Sequence, residues 1–400
     1  MKTKRTDLVL AACFCGAIGL YDALYLLLGL TGGPIIGPAM DILFPDFLVF
    51  HAAVRAWLEG KATLIYNVDA FTAFQNVIYA DRIPATIHLR PFFYPPIWLL
   101  LLLPLGALGV GKAYGLCFSG TAALATVLEG RRDWWGWLAI ITSPAALWTI
   151  LAGQNTFLSV ALFYGGLHLL ERKPAAAGIL LGMLSYKPQI LALVPLALVA
   201  ARQWRALGWT LATVVMLSLV SLGVFGLDFW SAFFDAAREA SSSRVVNETF
   251  ERIFMQMTTL LAAARIVGLA PGLSAAIQLG GSALAVIAVW IAFRRHVQSE
   301  PRIAVLATAT ILVSPYTLNY DLLLLMPAAV ALFRMGVALG FYPLERLIYP
   351  ALWLTPTLGW AFNQHGLPLI PLVIVTFGAV AWARLGGQSK VELPQPATTR

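Results

Sequence analysis

The chain has 400 residues, of which 60% are hydrophobic and only 12% charged, and its mean hydropathy is +0.79. Soluble domains carry roughly twice that share of charge, so one aqueous core could not hide this apolar surface and the chain reads as a polytopic membrane protein. The formal charge of +8 comes from short clusters between apolar runs, among them Arg131-Arg132, Arg172-Lys173, Arg202 with Arg205, and Arg294-Arg295; that is how topology determinants and lipid-headgroup contacts are distributed, and it excludes a nucleic-acid surface.

The first apolar run, 8–30, follows the basic residues Lys2, Lys4 and Arg5. It is longer than a cleaved signal region and no small-x-small site follows, so it reads as a retained span with a cytoplasmic start. It carries an unusual acid, Asp22. Cys13, Cys15 and Cys117 lie inside apolar segments and read as packing residues. Further apolar runs near 92–110, 113–129, 134–152, 155–170, 175–201, 206–226, 273–293, 303–338 and 342–383 bring the expectation to about ten to twelve spans of an all-α transmembrane bundle. This gives one domain over 1–385 and a polar tail, 386–400, expected to be disordered. Two excursions of mixed polarity interrupt the pattern, 31–91 on the outer side and 227–254. The second holds Asn247-Glu248-Thr249, which fits the permissive N-glycosylation pattern.

The outer excursion contains "FPDFLVFHAAVRAWLEG", residues 44–60. Phe47, Phe50, Val54 and Trp57 with Leu58 recur at helical spacing, predicting a helix lying on the membrane surface with its apolar face down. Asp46 stands at its start, where a carboxylate is a favoured N-cap. A second short helix is expected after Asn67, with Phe71, Phe74, Val77 and Ile78 on one face. "IHLRPFFYPP", residues 87–96, then sets His88, Arg90 and Tyr94 at the membrane boundary, in a stretch that its prolines keep out of regular helix.

Three later polar interruptions fall between or within apolar runs. "GQN" places Gln154 and Asn155 in a tight turn after Gly153, where amides can satisfy turn backbone or hold a sugar hydroxyl. "GMLSYKPQI" places Lys187 and Gln189 deep in an apolar stretch; an ionisable group at that depth is a functional-site hypothesis. That stretch is either one long span or a hairpin of two short helices with Lys187-Pro188 at its apex. "SPYTLNYD" supplies Tyr316, Asn319, Tyr320 and Asp321, the last also placed to cap the following helix. No phosphate-binding glycine loop, HExxH or GxSxG is present.

Taken in order, "PDFLVFHAAVRAWLEG", "LIYN", "FFYPP", "GQN", "AGILLGMLSYKPQ" and "SPYTLNYD" resemble glycosyltransferase family 87, also labelled domain of unknown function 2029. The family includes bacterial mannosyltransferases that use polyprenyl-phosphate mannose. The resemblance implies a GT-C-like helical bundle in the bacterial inner membrane with its active site facing outside. It also implies a polyprenyl-phosphate sugar donor and a lipid or glycan acceptor, membrane lipids around it, and neither metal nor further cofactor. On it, the family's catalytic acid corresponds to Asp46, the Lys-Pro element to Lys187-Pro188 and the Gly-Gln element to Gly153-Gln154. Many relatives carry a His after the Ser-Pro element, where this chain has Asn319-Tyr320-Asp321.

On that reading Asp46 takes the acceptor proton, while Lys187, with Arg90 or His88, supports the departing phosphate and His88, Arg90, Tyr94, Gln154, Asn155, Lys187, Gln189, Tyr316, Asn319, Tyr320 and Asp321 line the substrate site. The competing reading is a transporter or lipid flippase with Lys187, Asp22 and Asp321 as an internal polar pathway.

Overall fold

The computed structural model describes residues 44–83, 86–87, 89–129, 134–240, 254–295 and 299–386. The first span with Asp22, Cys13 and Cys15, the segment leading to Phe44, His88, the Asn247 motif and the tail beyond residue 386 lie outside them. Among the described residues every regular element is a helix.

The outer excursion forms α1 (Pro45–Leu58), a 3-10 turn (Ala62–Leu64) and α2 (Val68–Ile78). The expectation for α1 needs correction. It is a helix, but Phe47 to Val54 and Ala56 are all buried, so protein covers it on nearly every side and only Arg55, Leu58 and Glu59 at its C-terminal end stay exposed or largely so. A helix apolar almost all round belongs inside a protein and not on a bilayer surface. In α2, Asn67 is the N-cap, its Oδ1 accepting the Ala70 amide at 3.0 Å. Phe71 and Phe74 face inward, whereas Val77 is 75% exposed.

The run expected as a span over 92–110 is broken. It forms α3 (Pro96–Leu102) and a 3-10 turn (Leu103–Leu105), and α4 (Val110–Glu129) leaves at 110° to it. Next come α5 (Trp134–Ile141) and α6 (Pro144–Ala152), bent by 48° at Ser143-Pro144, and then α7 (Thr156–Leu169), α8 (Pro174–Met183), α9 (Pro188–Leu191), α10 (Val194–Ala200) and α11 (Trp204–Phe225). The second excursion begins as α12 (Leu227–Ala240). After it follow α13 (Leu260–Ile266), α14 (Pro271–Arg294), α15 (Ser299–Val313), a 3-10 helix (Asn319–Leu325), α16 (Met326–Leu339), α17 (Glu345–Gln364) and α18 (Ile370–Gly386). Proline opens α1, α3, α6, α8, α9 and α14, where its missing amide costs nothing and its fixed φ suits the first turn.

These breaks lower the span count. Among the described residues three helices are long and apolar enough to cross a bilayer, α11, α14 and 319–339, or up to five if each bent pair counts as one. The remaining apolar helices are shorter: α7, for instance, has 14 residues and reaches about 21 Å, less than the ~30 Å hydrocarbon core.

The 175–201 stretch is a hairpin. Along α8, Gly178 lies against Ala206 and Trp209, and Gly182 against Thr210 and Thr213, so α8 and α11 run parallel; a Cβ at Gly182 would sit 2.6 Å from that of Thr213. Helix α10 turns back into α11 through residues 201–203 and so opposes α8. Lys187-Pro188 is therefore the apex. Three such apices, 153–155, 187–188 and 314–321, meet at one end of the bundle. The opposite end gathers Arg172, Lys173, Arg202, Arg205, Arg294, Arg295, Arg302 and Arg384. It is tied by Arg302–Glu171 at 3.8 Å and by the buried pair Arg384–Glu345 at 2.6 Å.

Candidate active site

Asp46 lies in the first turn of α1 but does not cap it. The N-cap residue is Phe44, held at φ 39° with its amide on the Leu151 carbonyl at 2.7 Å, and no side chain caps the helix. The carboxylate points elsewhere. Its Oδ2 accepts a hydrogen bond from Gln154 Nε2 at 2.6 Å, and its Oδ1 faces Arg90 Nη1 at 3.7 Å. Tyr94 in turn donates its hydroxyl to Gln154 Oε1 at 2.9 Å, which fixes the amide with its NH2 toward the acid.

Backbone chemistry explains why residues from three segments meet here. Gly153 ends α6 in the left-handed region at φ 73°, and a Cβ there would lie 2.6 Å from that of Phe47. Only glycine allows the turn to press onto α1 at this point. On the other flank, side chains of α2 hold the backbone of Ile87 and of Arg90. Asn76 pairs with both the amide and the carbonyl of Ile87 at 2.8 and 3.0 Å, and Gln75 Nε2 donates to the Arg90 carbonyl at 2.9 Å. Aromatic rings fill the space behind: Phe50 meets Tyr94 and Trp98 edge-on at 5.0 and 5.4 Å, and Trp98 stacks on Tyr186 at 4.7 Å.

The Asp46 side chain is 29% exposed, yet the protein packed around it strips much of its hydration. Desolvation therefore raises its pKa above the usual carboxylate range. Arg90 opposes the rise most strongly, followed by the Gln154 hydrogen bond and the charge of Lys187, while Asp321 adds to it.

Lys187 and Asp321 form the second feature of the site. Lys187 Nζ lies 2.6 Å from Asp321 Oδ1, both side chains almost fully buried, and 5.5 Å above the Tyr320 ring. The other carboxylate oxygen accepts the Leu318 amide at 3.0 Å, so Asp321 closes the turn that starts its own helix as well as pairing the lysine. Lys187, expected to support the departing phosphate, is paired with Asp321, as a buried ammonium is tolerated only with a partner. As a polar pathway the two residues are likewise closed onto each other.

These observations can be set beside known proteins. The model of glycosyltransferase family 87 matches residues 92–315, more than half of the chain. The chain belongs to glycosyltransferase family 87. It is a multi-pass membrane protein of glycosyltransferase type. No curated protein and no solved structure matches it. The matched residues of this family 87 protein run from "FFYPP" through "GQN" and "YKPQ" to Ser314-Pro315; Asp46 and Arg90 lie before them, and Tyr316 and Asn319-Tyr320-Asp321 after.

The remaining site residues divide. Asn155 is 4% exposed, its amide beside the Tyr94 hydroxyl without reaching hydrogen-bond geometry, and the Asn319 amide is buried with no hydrogen-bond partner among the described residues. Such groups are costly to leave unsatisfied, and a bound hydroxyl would complete them. Tyr316 is 38% exposed on a loop that Ser314 and the Thr258–Thr317 pair hold in place. Gln189 is half-buried behind the Lys187 apex, and no hydrogen bond ties it to the cluster among the described residues. Among the described residues no group of three or more His, Cys, Asp or Glu side chains could hold a metal ion. Sequence reasoning missed Trp98 and Tyr186, which position the Lys187 apex, and the α2 side chains Gln75 and Asn76. Their one signal was a polar stripe on an otherwise apolar helix.

Proposed function

We propose that this family 87 glycosyltransferase transfers a hexose, mannose on the family's example, from a polyprenyl-phosphate donor to a lipid or glycan acceptor, with inversion and with Asp46 as general base. In the step, the bond from sugar C1 to the phosphate oxygen breaks and its electron pair leaves on the phosphate. The acceptor oxygen bonds C1 from the opposite face and its proton passes to Asp46. The observation that carries this is the Tyr94–Gln154–Asp46 chain. It holds one acid, desolvated and reachable, with a lone pair fixed in direction. A cation at the same opening, Arg90, suits the charge that builds on the leaving phosphate.

Charge supports an orientation with the site outward. The end of the bundle opposite Asp46 gathers the arginines and lysines named above, and such loops face the cytoplasm. The site then opens on the outer side of a bacterial plasma membrane, where polyprenyl-phosphate sugars are available without nucleotide donors.

The test is incubation of the purified full chain with a panel of polyprenyl-phosphate sugars and acceptor lipids. Released polyprenyl phosphate together with a glycosylated acceptor supports the assignment. Movement of lipid across proteoliposomes with no sugar-containing product would return the transporter reading.

A further inference from the structure

Two acid–base pairs share this site and are built very differently. Lys187 and Asp321 are 3% and 5% exposed and in contact at 2.6 Å. Arg90 and Asp46 are 35% and 29% exposed and stand 3.7 Å apart through one nitrogen. The first pair is hydrogen-bonded, desolvated and braced by the Leu318 amide and the Tyr320 ring; removing either partner would strand a buried charge. The second is loose and water-exposed, the kind of contact worth little in itself.

The formal charges of the four side chains cancel. A donor with a phosphodiester adds one negative charge, and among the described residues the charged groups that act on Asp46 are Arg90, Lys187 and Asp321, so none of these leaves a spare cation there. The phosphate must draw its cation from an existing pair, and the loose one yields first. Resting on the phosphate-linked donor proposed above, we infer that Arg90 is shared between two anions: it rests against Asp46 in the empty site and transfers to the donor phosphate on binding, while Lys187 stays locked to Asp321.

Two consequences follow. Arg90 is the residue that recognises the donor phosphate, and its guanidinium can present two parallel N–H groups to phosphate oxygens that it does not present to Asp46. Donor binding also removes from Asp46 the cation that most holds its proton affinity down, so the base strengthens once the sugar is in place. Among the described residues the phenols of Tyr94 and Tyr316 also face Asp46; burial raises both, so they stay neutral and leave the exchange to Arg90.

The experiment uses the purified full chain and farnesyl phosphate as the probe, with farnesol as the control. Wild type should bind farnesyl phosphate at least tenfold more tightly than farnesol; if it shows no such preference, the phosphate-linked donor itself is wrong. Given that preference, R90Q should lose tenfold or more of the farnesyl phosphate affinity with farnesol binding unchanged, and R90K should lose less. In turnover, the acid limb of kcat should lie at higher pH than that of kcat/KM in wild type, because one reports the donor-bound site and the other the free one. In R90Q the separation should shrink, since only the donor's own charge then acts on Asp46. Farnesyl phosphate affinity in R90Q within threefold of wild type, or limbs that coincide in wild type, would overturn the proposal. Should R90Q not fold, R90K decides: unchanged affinity counts against Arg90, and an intermediate loss supports it.

Discussion

Gln154 donates its amide to the Asp46 carboxylate at 2.6 Å across 108 positions of the chain. Asp46 begins a helix and Gln154 ends a turn between two others, and neither segment signals the other locally. Their meeting is set by Gly153, whose missing side chain lets the turn rest on Phe44 and Phe47, and by the Phe44 amide bonded to Leu151.

Replacing the acid separates chemistry from folding. D46N should lower kcat by about 10²–10⁴-fold, the range general-base catalysis supplies, with donor affinity kept or raised because Arg90 is released. Because burial raises the carboxylate pKa, the folded state favours the protonated form. The ionised form therefore costs stability once pH rises through that folded-state pKa. D46N should accordingly melt at or above the wild-type temperature at neutral pH. A turnover assay paired with a melt in detergent checks both.

The same shift fixes the pH dependence of activity. A base works only when deprotonated, so activity should fall as pH drops through the Asp46 pKa, and that limb should lie above the usual carboxylate range. A kcat/KM profile shows it. In Q154A one opposing hydrogen bond is lost, and the limb should move further toward neutral.

Gln154 orients without reacting. Q154A should reduce kcat about 10- to 100-fold, the loss expected when an orienting partner is removed, with a small change in KM. Y94F removes only the donor that orients the amide and should cost less. Steady-state kinetics on both variants, read as a ratio of kcat to KM effects, separates positioning from substrate contact.

The buried pair should behave as a unit. K187M or D321L alone strands a charge and should destabilise by about 3–5 kcal/mol. The double variant should recover most of that, since an apolar replacement of a buried pair is often neutral. D321N, which keeps an acceptor for the Leu318 amide, should fall between. Thermal unfolding of the four variants measures the coupling.

Much of this protein was legible along the chain. Low charge and long apolar runs determine a helical membrane bundle, because only helices or closed barrels satisfy the backbone in lipid. The prolines at 96, 144, 174 and 188 mark the places where those helices begin. The apolar spacing of residues 47–58 determines α1, and Asn67 marks the cap of α2. What the tertiary structure alone decided is which polar groups face one another. Periodicity shows that Phe47 to Val54 form a helix, but only the packing of α3, α4 and α6 around them shows that the helix is enclosed. Asp46 had the local signature of a cap until the backbone at Phe44 left the carboxylate free for Gln154. Lys187 read as a lone buried cation, because its partner lies 134 positions away on another hairpin apex. Local propensity acts over a few residues, whereas the desolvation and pairing of a charge depend on whatever the fold brings within a few ångströms, and that distance is written nowhere along the chain.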